Sequence, residues 1–236
     1  MTVISTYLSS VLFAVLPYVA LILFFLVTIQ RYRAQTFTYS SLSSQLLENQ
    51  QHFWALVPFH YGVLVVLAGH VAAFLMPQQL LWFNSRPARL YILEVTGLIF
   101  GLLTLIGMVA IVIRRHGNSK VRVVTSWADW LVYFLLFVQV VTGVLVAVVN
   151  GWGASWFAAA MTPYLWSLVK LNPQIGYLTA LPWLVQLHVI NAFLLIAIFP
   201  FTRLVHVLVV PNPYLWRKPQ VVRWYRRPAS NVRLRN

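Results

Sequence analysis

The sequence predicts an all-α integral membrane protein with five transmembrane helices. Three observations support this prediction: 61% of the 236 residues are hydrophobic, only 8% are charged, and the apolar residues form long runs. A soluble domain carries about 25% charged residues, whereas a helix of about 20 apolar residues crosses a bilayer. The predicted spans are residues 8–29, 54–76, 90–113, 130–149 and 181–210.

The first four spans have recognisable ends. The first is too long for the core of a signal peptide, and it stops at the basic pair Arg31 and Arg33. Pro77 ends the second span, and the run Arg114-Arg115 ends the third. The fourth begins at Ser126-Trp-Ala-Asp129, whose spacing predicts a capping box at the helix N-terminus.

The C-terminal half contains two apolar segments whose lengths do not match one simple membrane span. Residues 151–169 are apolar, but Gly153 and Pro163 interrupt them, and Trp and Tyr are frequent. Aromatic residues of this kind favour the headgroup level, so we expect an interfacial segment rather than a sixth span. The fifth span is longer than a bilayer requires, and Pro200 predicts a kink within it.

The distribution of basic residues predicts the orientation. The formal net charge is +14, from 17 Lys and Arg against three Asp and Glu. With five spans and the N-terminus outside, 14 of the 17 basic residues lie on the cytoplasmic side, which satisfies the positive-inside rule and argues against a nucleic-acid site. Residues 1–212 then form the transmembrane domain. Residues 213–236 form a basic cytoplasmic tail, which we expect to dock a protein partner or anionic membrane lipids.

Cysteine is absent from the chain, whereas histidine occurs at membrane depth. The absence of cysteine excludes iron–sulfur ligation, thiolate-bound haem and the covalent attachment of c-type haem. His60 and His70 lie in the second span, and His188 and His206 lie in the fifth. Imidazoles in the membrane are costly unless they have partners, so these four histidines are candidate functional residues.

The second and fifth spans run in opposite directions, which predicts two histidine pairs at two depths. His60 and His206 lie toward the cytoplasm, and His70 and His188 lie toward the outside. Two imidazoles fill both axial positions of a haem iron and leave no position for oxygen, so each pair would hold a haem b that transfers electrons. The alternative is that these histidines only form hydrogen bonds between helices. The antiparallel, depth-matched arrangement favours two haems stacked between the second and fifth helices.

The spacing of the histidines differs between the two spans. Those of the second span are ten residues apart, about 15 Å of helix, whereas those of the fifth are 18 residues apart, about 27 Å. Tilt or the kink at Pro200 must absorb this difference in height. Gly62 and Gly69, beside the predicted ligands, are expected to let a flat macrocycle approach the second helix closely.

Around these histidines the sequence resembles the gamma subunit, or cytochrome b subunit, of respiratory nitrate reductase. The resemblance runs from about Arg31 to Val210, and the 10- and 18-residue histidine spacings are its most specific feature. The matching stretches are Ser43-Ser-Gln-Leu-Leu47, Phe59-His60, Gly69-His70, Val121-Arg122, Ala128-Asp129 and Phe199-Pro-Phe-Thr-Arg-Leu-Val-His206.

The resemblance implies a role in a complex of a bacterial or archaeal cell membrane. Quinol would be oxidised near the outer haem, held by His70 and His188. The inner haem, held by His60 and His206, would pass electrons to an iron–sulfur beta subunit. A molybdenum-containing alpha subunit would then reduce nitrate, so the terminal acceptor site would belong to a partner.

Further polar residues are candidates for contacts with quinol or haem. The resemblance places a basic residue near the quinone at the outer start of the third helix, where Arg89 is the nearest match, and Gly69 would line the same pocket. Arg203 would pair with a propionate of the inner haem or remain a boundary arginine. Glu94 would accept a quinol proton or form an ion pair with Arg86 or Arg89.

Two other functions remain open from the sequence. A related dihaem chain of a heterodisulfide or sulfite-type reductase would share the four histidines. A haem-free membrane anchor would share only the five spans, and an absorption spectrum without a b-type alpha band would identify it.

Overall fold

A computed structural model of the chain describes residues 3–34 and 50–208. Within these residues, five helices are long and apolar enough to cross a membrane, which confirms the predicted number of spans. The first, α1, comprises Val3–Ser10, a π-helical turn at Val11–Val15 and Leu16–Ala34. The others are α2 at Gln50–Leu75, α3 at Pro87–Gly117, α4 at Trp127–Val149 and α5 at Trp183–Ile198.

The five helices pack side by side as an open arc. α2 packs mainly on α3, α3 on α4, α4 on α5, and α5 on α1. α2 and α5, the two helices that carry the predicted ligands, have no extensive contact with each other. We call the end that contains Ala34, Gly117 and Trp127 the inner end and the opposite end the outer end, following the predicted topology. The orientation itself, like the basic tail, which lies outside the described residues, stays a prediction.

Two glycines bring α2 and α3 close together. A Cβ atom at Gly62 would lie 2.3 Å from Thr104 Oγ1, and one at Gly107 would lie 2.4 Å from the backbone nitrogen of Phe59. Small residues of this kind allow membrane helices to approach at backbone distance. The expectation that Gly62 faces a macrocycle is therefore wrong, because its open side is filled by α3. Gly69, by contrast, has nothing within 4 Å of its Cβ position.

The connections at the outer end are more helical than the sequence suggested. The predicted polar connection after α2 contains a helix at Pro77–Asn84, with proline in the first turn, where its missing N–H is not needed. The predicted interfacial segment forms short helices at Gly153–Trp156 and Thr162–Val169, joined by a π-helical turn at Phe157–Met161. It is not among the five apolar spans of the described chain.

This interfacial segment satisfies backbone carbonyls that two prolines leave without their usual donors. Pro17 and Pro77 have no N–H for the carbonyls of Phe13 and Ala73, four residues earlier. The buried Tyr164 hydroxyl donates to Phe13 O at 2.7 Å, and the Thr162 hydroxyl donates to Ala73 O at 3.2 Å. The segment therefore ties α1 to the end of α2.

The fifth span is broken rather than kinked. We expected one helix over 181–210, but α5 ends at Ile198 and is followed by 3-10 turns at Phe199–Phe201 and Arg203–Val207. Between the two turns Thr202 is extended, with φ −123° and ψ 175°. The preceding Pro200 cannot donate a helical hydrogen bond, and the Thr202 hydroxyl caps the next turn by accepting the N–H of Leu204 at 3.3 Å.

Candidate functional site

The break after α5 brings the two inner histidines together. The ring centres of His60 and His206 are 6.2 Å apart, with an angle of 66° between the ring planes. The Nδ1–H of His60 donates to the carbonyl of Leu56 at 2.8 Å, and that of His206 donates to the carbonyl of Arg203 at 2.7 Å. Both rings therefore keep Nε2 free of these main-chain contacts.

The two outer histidines have different surroundings. His70 is exposed, its Nδ1–H donates to the carbonyl of Val66 at 2.8 Å, and its ring centre lies 5.2 Å from that of Phe157. His188 lies on α5 and is predicted to pair with His70. Its ring is held against α4, where Nδ1 is 2.9 Å from Thr142 Oγ1.

The donor set fits a haem with two axial imidazoles. In each of the four rings Nδ1 faces an oxygen acceptor, which favours the tautomer with the lone pair on Nε2, the form of the ring that can ligate a metal through Nε2. For the inner pair, two metal–nitrogen bonds of about 2.0 Å each, plus the distance from each nitrogen to its ring centre, total about 6 Å. The observed separation of 6.2 Å therefore suits one iron between the rings. The described residues contain no cluster of three or more His, Cys, Asp or Glu side chains.

A polar network inside the bundle surrounds His188 and was not foreseen from the sequence. The amide nitrogen of Gln139 lies 3.0 Å from His188 Nε2, so that amide must turn away for a metal to bind there. The Gln139 carbonyl oxygen accepts a hydrogen bond from the buried Asn191 at 2.7 Å. A Cβ atom at Gly143 would lie 3.0 Å from the ring carbon Cε1 of His188, so glycine lets the imidazole lie against α4.

A signal for this network was present in the sequence. Gln139 and Thr142 are polar residues three positions apart within an apolar span, which places them on one helix face. Asn191 follows His188 at the same interval on α5. Uncharged polar side chains at membrane depth form hydrogen bonds between helices. These polar faces of α4 and α5 pack against each other in the structure.

The predicted site residue Arg203 connects the inner histidine to the start of α4. Its side chain forms an ion pair with Asp129 at 2.8 Å and donates to the carbonyl of Val124 at 2.7 Å. Asp129 also forms the predicted capping box with Ser126, which is confirmed by reciprocal hydrogen bonds of 2.8 and 3.2 Å. Because the Arg203 carbonyl accepts from His206, this ion pair anchors the turn that carries the inner ligand.

The predicted quinone residue Arg89 folds back over the helix at Pro77–Asn84. It donates to the carbonyl of Trp82 at 3.1 Å and to the hydroxyl of Ser85 at 3.2 Å, and its guanidinium carbon lies 4.7 Å from the centre of the Trp82 ring. The Nε atom of Arg89 is buried without a hydrogen-bond partner within the described chain.

Glu94 contacts the interfacial segment rather than a basic side chain. Its carboxylate accepts the backbone N–H of Ala154 at 2.7 Å. Among the described residues it forms no ion pair with Arg86 or Arg89, so that alternative is wrong. An anionic side chain at the first turn of a helix is electrostatically favourable.

Comparison with known proteins places the chain in a family. Residues 9–225 match the sequence profile of the nitrate reductase gamma subunit. The nitrate reductase gamma chain of Bacillus subtilis is 28% identical over 218 residues, which cover 91% of this chain and 98% of that relative. The respiratory nitrate reductase 2 gamma chain of Escherichia coli is 29% identical over 221 residues, which cover 92% of this chain and 97% of that relative.

A relative that is named for a different enzyme also matches. A component of the dihydromethanophenazine:CoB–CoM heterodisulfide reductase of Methanosarcina barkeri is 25% identical over 181 residues, which cover 74% of this chain and 62% of that relative. The family profile, however, spans most of the chain, and the two gamma chains align over nearly their whole length. The chain therefore belongs to the nitrate reductase gamma subunit family, a family of membrane subunits of an oxidoreductase.

Proposed function

We propose that this chain is the quinol-oxidising membrane subunit of a respiratory nitrate reductase and carries electrons through two bis-histidine b haems. The observation that carries the proposal is the approach of His60 on α2 and His206 on the 3-10 turn after α5, whose ring centres are 6.2 Å apart. Family membership supports the same role. The partners would be an iron–sulfur subunit and a molybdenum-containing subunit.

In the proposed pathway, each residue pair presents two Nε2 atoms to one iron. His70 and His188 would serve the outer site, and His60 and His206 the inner site. A bound b haem supplies reversible one-electron transfer, and two protein imidazoles keep oxygen away from its iron. The haems would lie between α2 and α5, two helices that have no extensive contact with each other.

Quinol would bind at the outer end, near His70. Arg89 lies at this end of α3, where its guanidinium could donate to a quinone oxygen, and the open surface at Gly69 leaves room beside His70. Glu94 is the acidic side chain on this part of α3, and its carboxylate is held by one backbone N–H. We infer that it is available to accept a quinol proton on the outer side.

Replacing each histidine tests the assignment of ligands. His60→Ala or His206→Ala should each lose the inner haem and stop electron delivery to the partner, whereas His70→Ala or His188→Ala should lose the outer haem and quinol oxidation. The measurement is haem content per chain, with the b-type alpha band of the reduced protein. His116→Ala is a matched control, because His116 is exposed at the inner end of α3. Two haems retained in all four variants would contradict the assignment.

Replacing Arg89 tests the quinol site separately. Arg89→Ala should raise the KM for quinol by about tenfold, which corresponds to about 1.4 kcal/mol for a lost hydrogen bond to a charged donor. Haem content should remain that of the wild type. Arg86→Ala is the control, since Arg86 is exposed at the same helix start. Equal quinol kinetics for the wild type and Arg89→Ala would remove Arg89 from the site.

The heterodisulfide reductase relative supports a second candidate, in which the same dihaem chain serves a different terminal subunit. Purification of the native complex distinguishes the two candidates. A molybdenum-containing partner supports nitrate reduction, and a partner that reduces disulfides supports the alternative.

A further inference from the structure

The hydroxyl of Thr142 on α4 is the hydrogen-bond partner of His188 Nδ1. Thr142 is 5% exposed, and its Oγ1 lies 2.9 Å from Nδ1. The single hydroxyl hydrogen is directed to the carbonyl of Val138 at 2.7 Å, in the usual i−4 bond of a helical threonine. The hydroxyl is therefore left with lone pairs toward the imidazole, and the imidazole must be the donor.

The kind of acceptor at Nδ1 distinguishes His188 from the other three predicted ligands. His60, His70 and His206 donate from Nδ1 to main-chain carbonyls of residues three or four positions earlier. His188 donates to a side chain on another helix. A main-chain carbonyl is retained when the side chain of its residue is replaced. The acceptor of His188, by contrast, is a side-chain hydroxyl that one mutation removes without changing His188 itself.

We propose that Thr142 is a positioning residue for His188 that fixes the imidazole tautomer and sets the reduction potential of the outer haem. This inference rests on the proposed function, in which His188 ligates that haem. A hydrogen bond from Nδ1–H makes the imidazole a better electron donor to the metal and holds its ring plane. Gly143 supports the same geometry, because it admits the ring at van der Waals distance from α4.

Loss of this hydrogen-bond acceptor should therefore shift the reduction potential of the outer haem in one direction. Without the Thr142 oxygen, the imidazole donates less electron density, and the oxidised iron is less stabilised. The reduction potential of the outer haem should then rise, and the ring should gain freedom to rotate. The inner haem, whose two ligands use main-chain acceptors, should keep its potential.

The experiment compares four variants of the full chain purified with its haems. Thr142→Val removes the hydroxyl at nearly constant volume, Thr142→Ala removes it with loss of volume, and Thr142→Ser keeps it. Thr104→Val is the control, because Thr104 is buried on α3 and its hydroxyl donates to the carbonyl of Phe100 at 2.7 Å, with no hydrogen bond to a histidine in the described chain. Redox titration gives the two haem potentials, and electron paramagnetic resonance of the oxidised protein reports the orientation of the axial imidazoles.

The expected result is specific to one variant and one haem. Thr142→Val should keep two haems, shift the outer-haem potential upward and change the outer-haem resonance signal, while Thr142→Ser and Thr104→Val match the wild type. An unchanged potential and signal in Thr142→Val would overturn the proposal. An equal shift in Thr142→Ser, or failure of Thr142→Val and Thr142→Ala to accumulate while Thr104→Val accumulates, would also overturn it by indicating a structural role.

His188→Ala separates this inference from the proposed function. If His188→Ala retains the outer haem, the ligand assignment fails and the positioning role fails with it. If His188→Ala loses that haem while Thr142→Val has wild-type potentials, only the positioning role is wrong.

Discussion

At the inner end of the bundle an ion pair joins α4 to the turn after α5, whereas at the outer end hydrogen bonds from neutral hydroxyl groups join the interfacial segment to α1 and α2. At the inner end, Arg203 and Asp129 connect the turn after α5 to the start of α4. At the outer end, Tyr164 and Thr162 satisfy carbonyls of α1 and α2. The difference follows the predicted distribution of basic residues, because arginines accumulate on the cytoplasmic side and one of the chain's three acidic residues is placed among them.

The surroundings of the two histidine pairs differ in the same way, with an ion pair beside the inner pair and neutral side chains beside the outer pair. The predicted inner ligand His206 is carried by a short 3-10 turn that depends on the Arg203 anchor. The predicted outer ligand His188 lies within a regular helix and contacts side chains of α4. Stability of the inner site should therefore respond to electrostatics, and the outer site should respond to loss of hydroxyl groups or to added volume.

Asp129→Asn should have the largest effect, and it should fall on the inner end. The change removes the charge of the carboxylate that pairs with Arg203, at a cost of about 2 kcal/mol in unfolding free energy, which is below the range for fully buried pairs because a quarter of the Arg203 side chain is exposed. Thermal unfolding in detergent, followed by the inner-haem absorbance, measures the effect.

The control for Asp129→Asn is Ser126→Ala. It removes the hydroxyl of the same capping box but leaves the ion pair, and it should cost about 1 kcal/mol. Equal losses in the two variants would mean that the ion pair adds nothing beyond helix capping.

Tyr164→Phe should weaken the outer end by a smaller amount. The carbonyl of Phe13 would lose the hydroxyl donor in a buried position, which costs about 1–2 kcal/mol. Burial raises the pKa of the Tyr164 hydroxyl, so it remains a protonated donor across the accessible pH range, and the loss should not depend on pH. Unfolding in mixed micelles at pH 6 and pH 9 tests both statements.

Tyr18→Phe makes the same chemical change at a less critical place. The Tyr18 hydroxyl donates to the carbonyl of Leu168 at 3.1 Å, but that carbonyl also accepts the N–H of Leu171 at 3.0 Å. The variant should therefore be less destabilised than Tyr164→Phe. The reverse order would contradict the explanation based on the missing N–H of Pro17.

Gly143→Ala should have the smallest effect on stability and should act on the outer site alone. The added Cβ would meet the His188 ring at 3.0 Å, so the imidazole must move by a few tenths of an ångström. The outer-haem resonance signal should shift while both haems remain. Gly97→Ala is the control, because nothing lies within 4 Å of its Cβ position on α3. A shifted inner-haem signal would contradict the assignment of His188 to the outer pair.

Several features of the fold and the site could be predicted because they depend on neighbouring residues in sequence. Hydropathy runs long enough for a bilayer located all five spans. The spacing of Ser126 and Asp129, three positions apart, predicted the capping box. The alternation of helix direction predicted that His60 would meet His206, and their rings do lie close together.

The sequence by itself determined the number of membrane helices, the candidate ligands and the approach of His60 to His206, since each of these follows from local composition, spacing and chain direction. Only the tertiary structure decided that the chain breaks at Thr202, that Gly62 faces Thr104, and that Arg203 pairs with Asp129. It also brought Thr142 and Gly143 against His188. The physical reason is that these contacts depend on which faces of distant helices pack together. Helical periodicity shows which residues share a face, but it does not specify the helix that packs against that face.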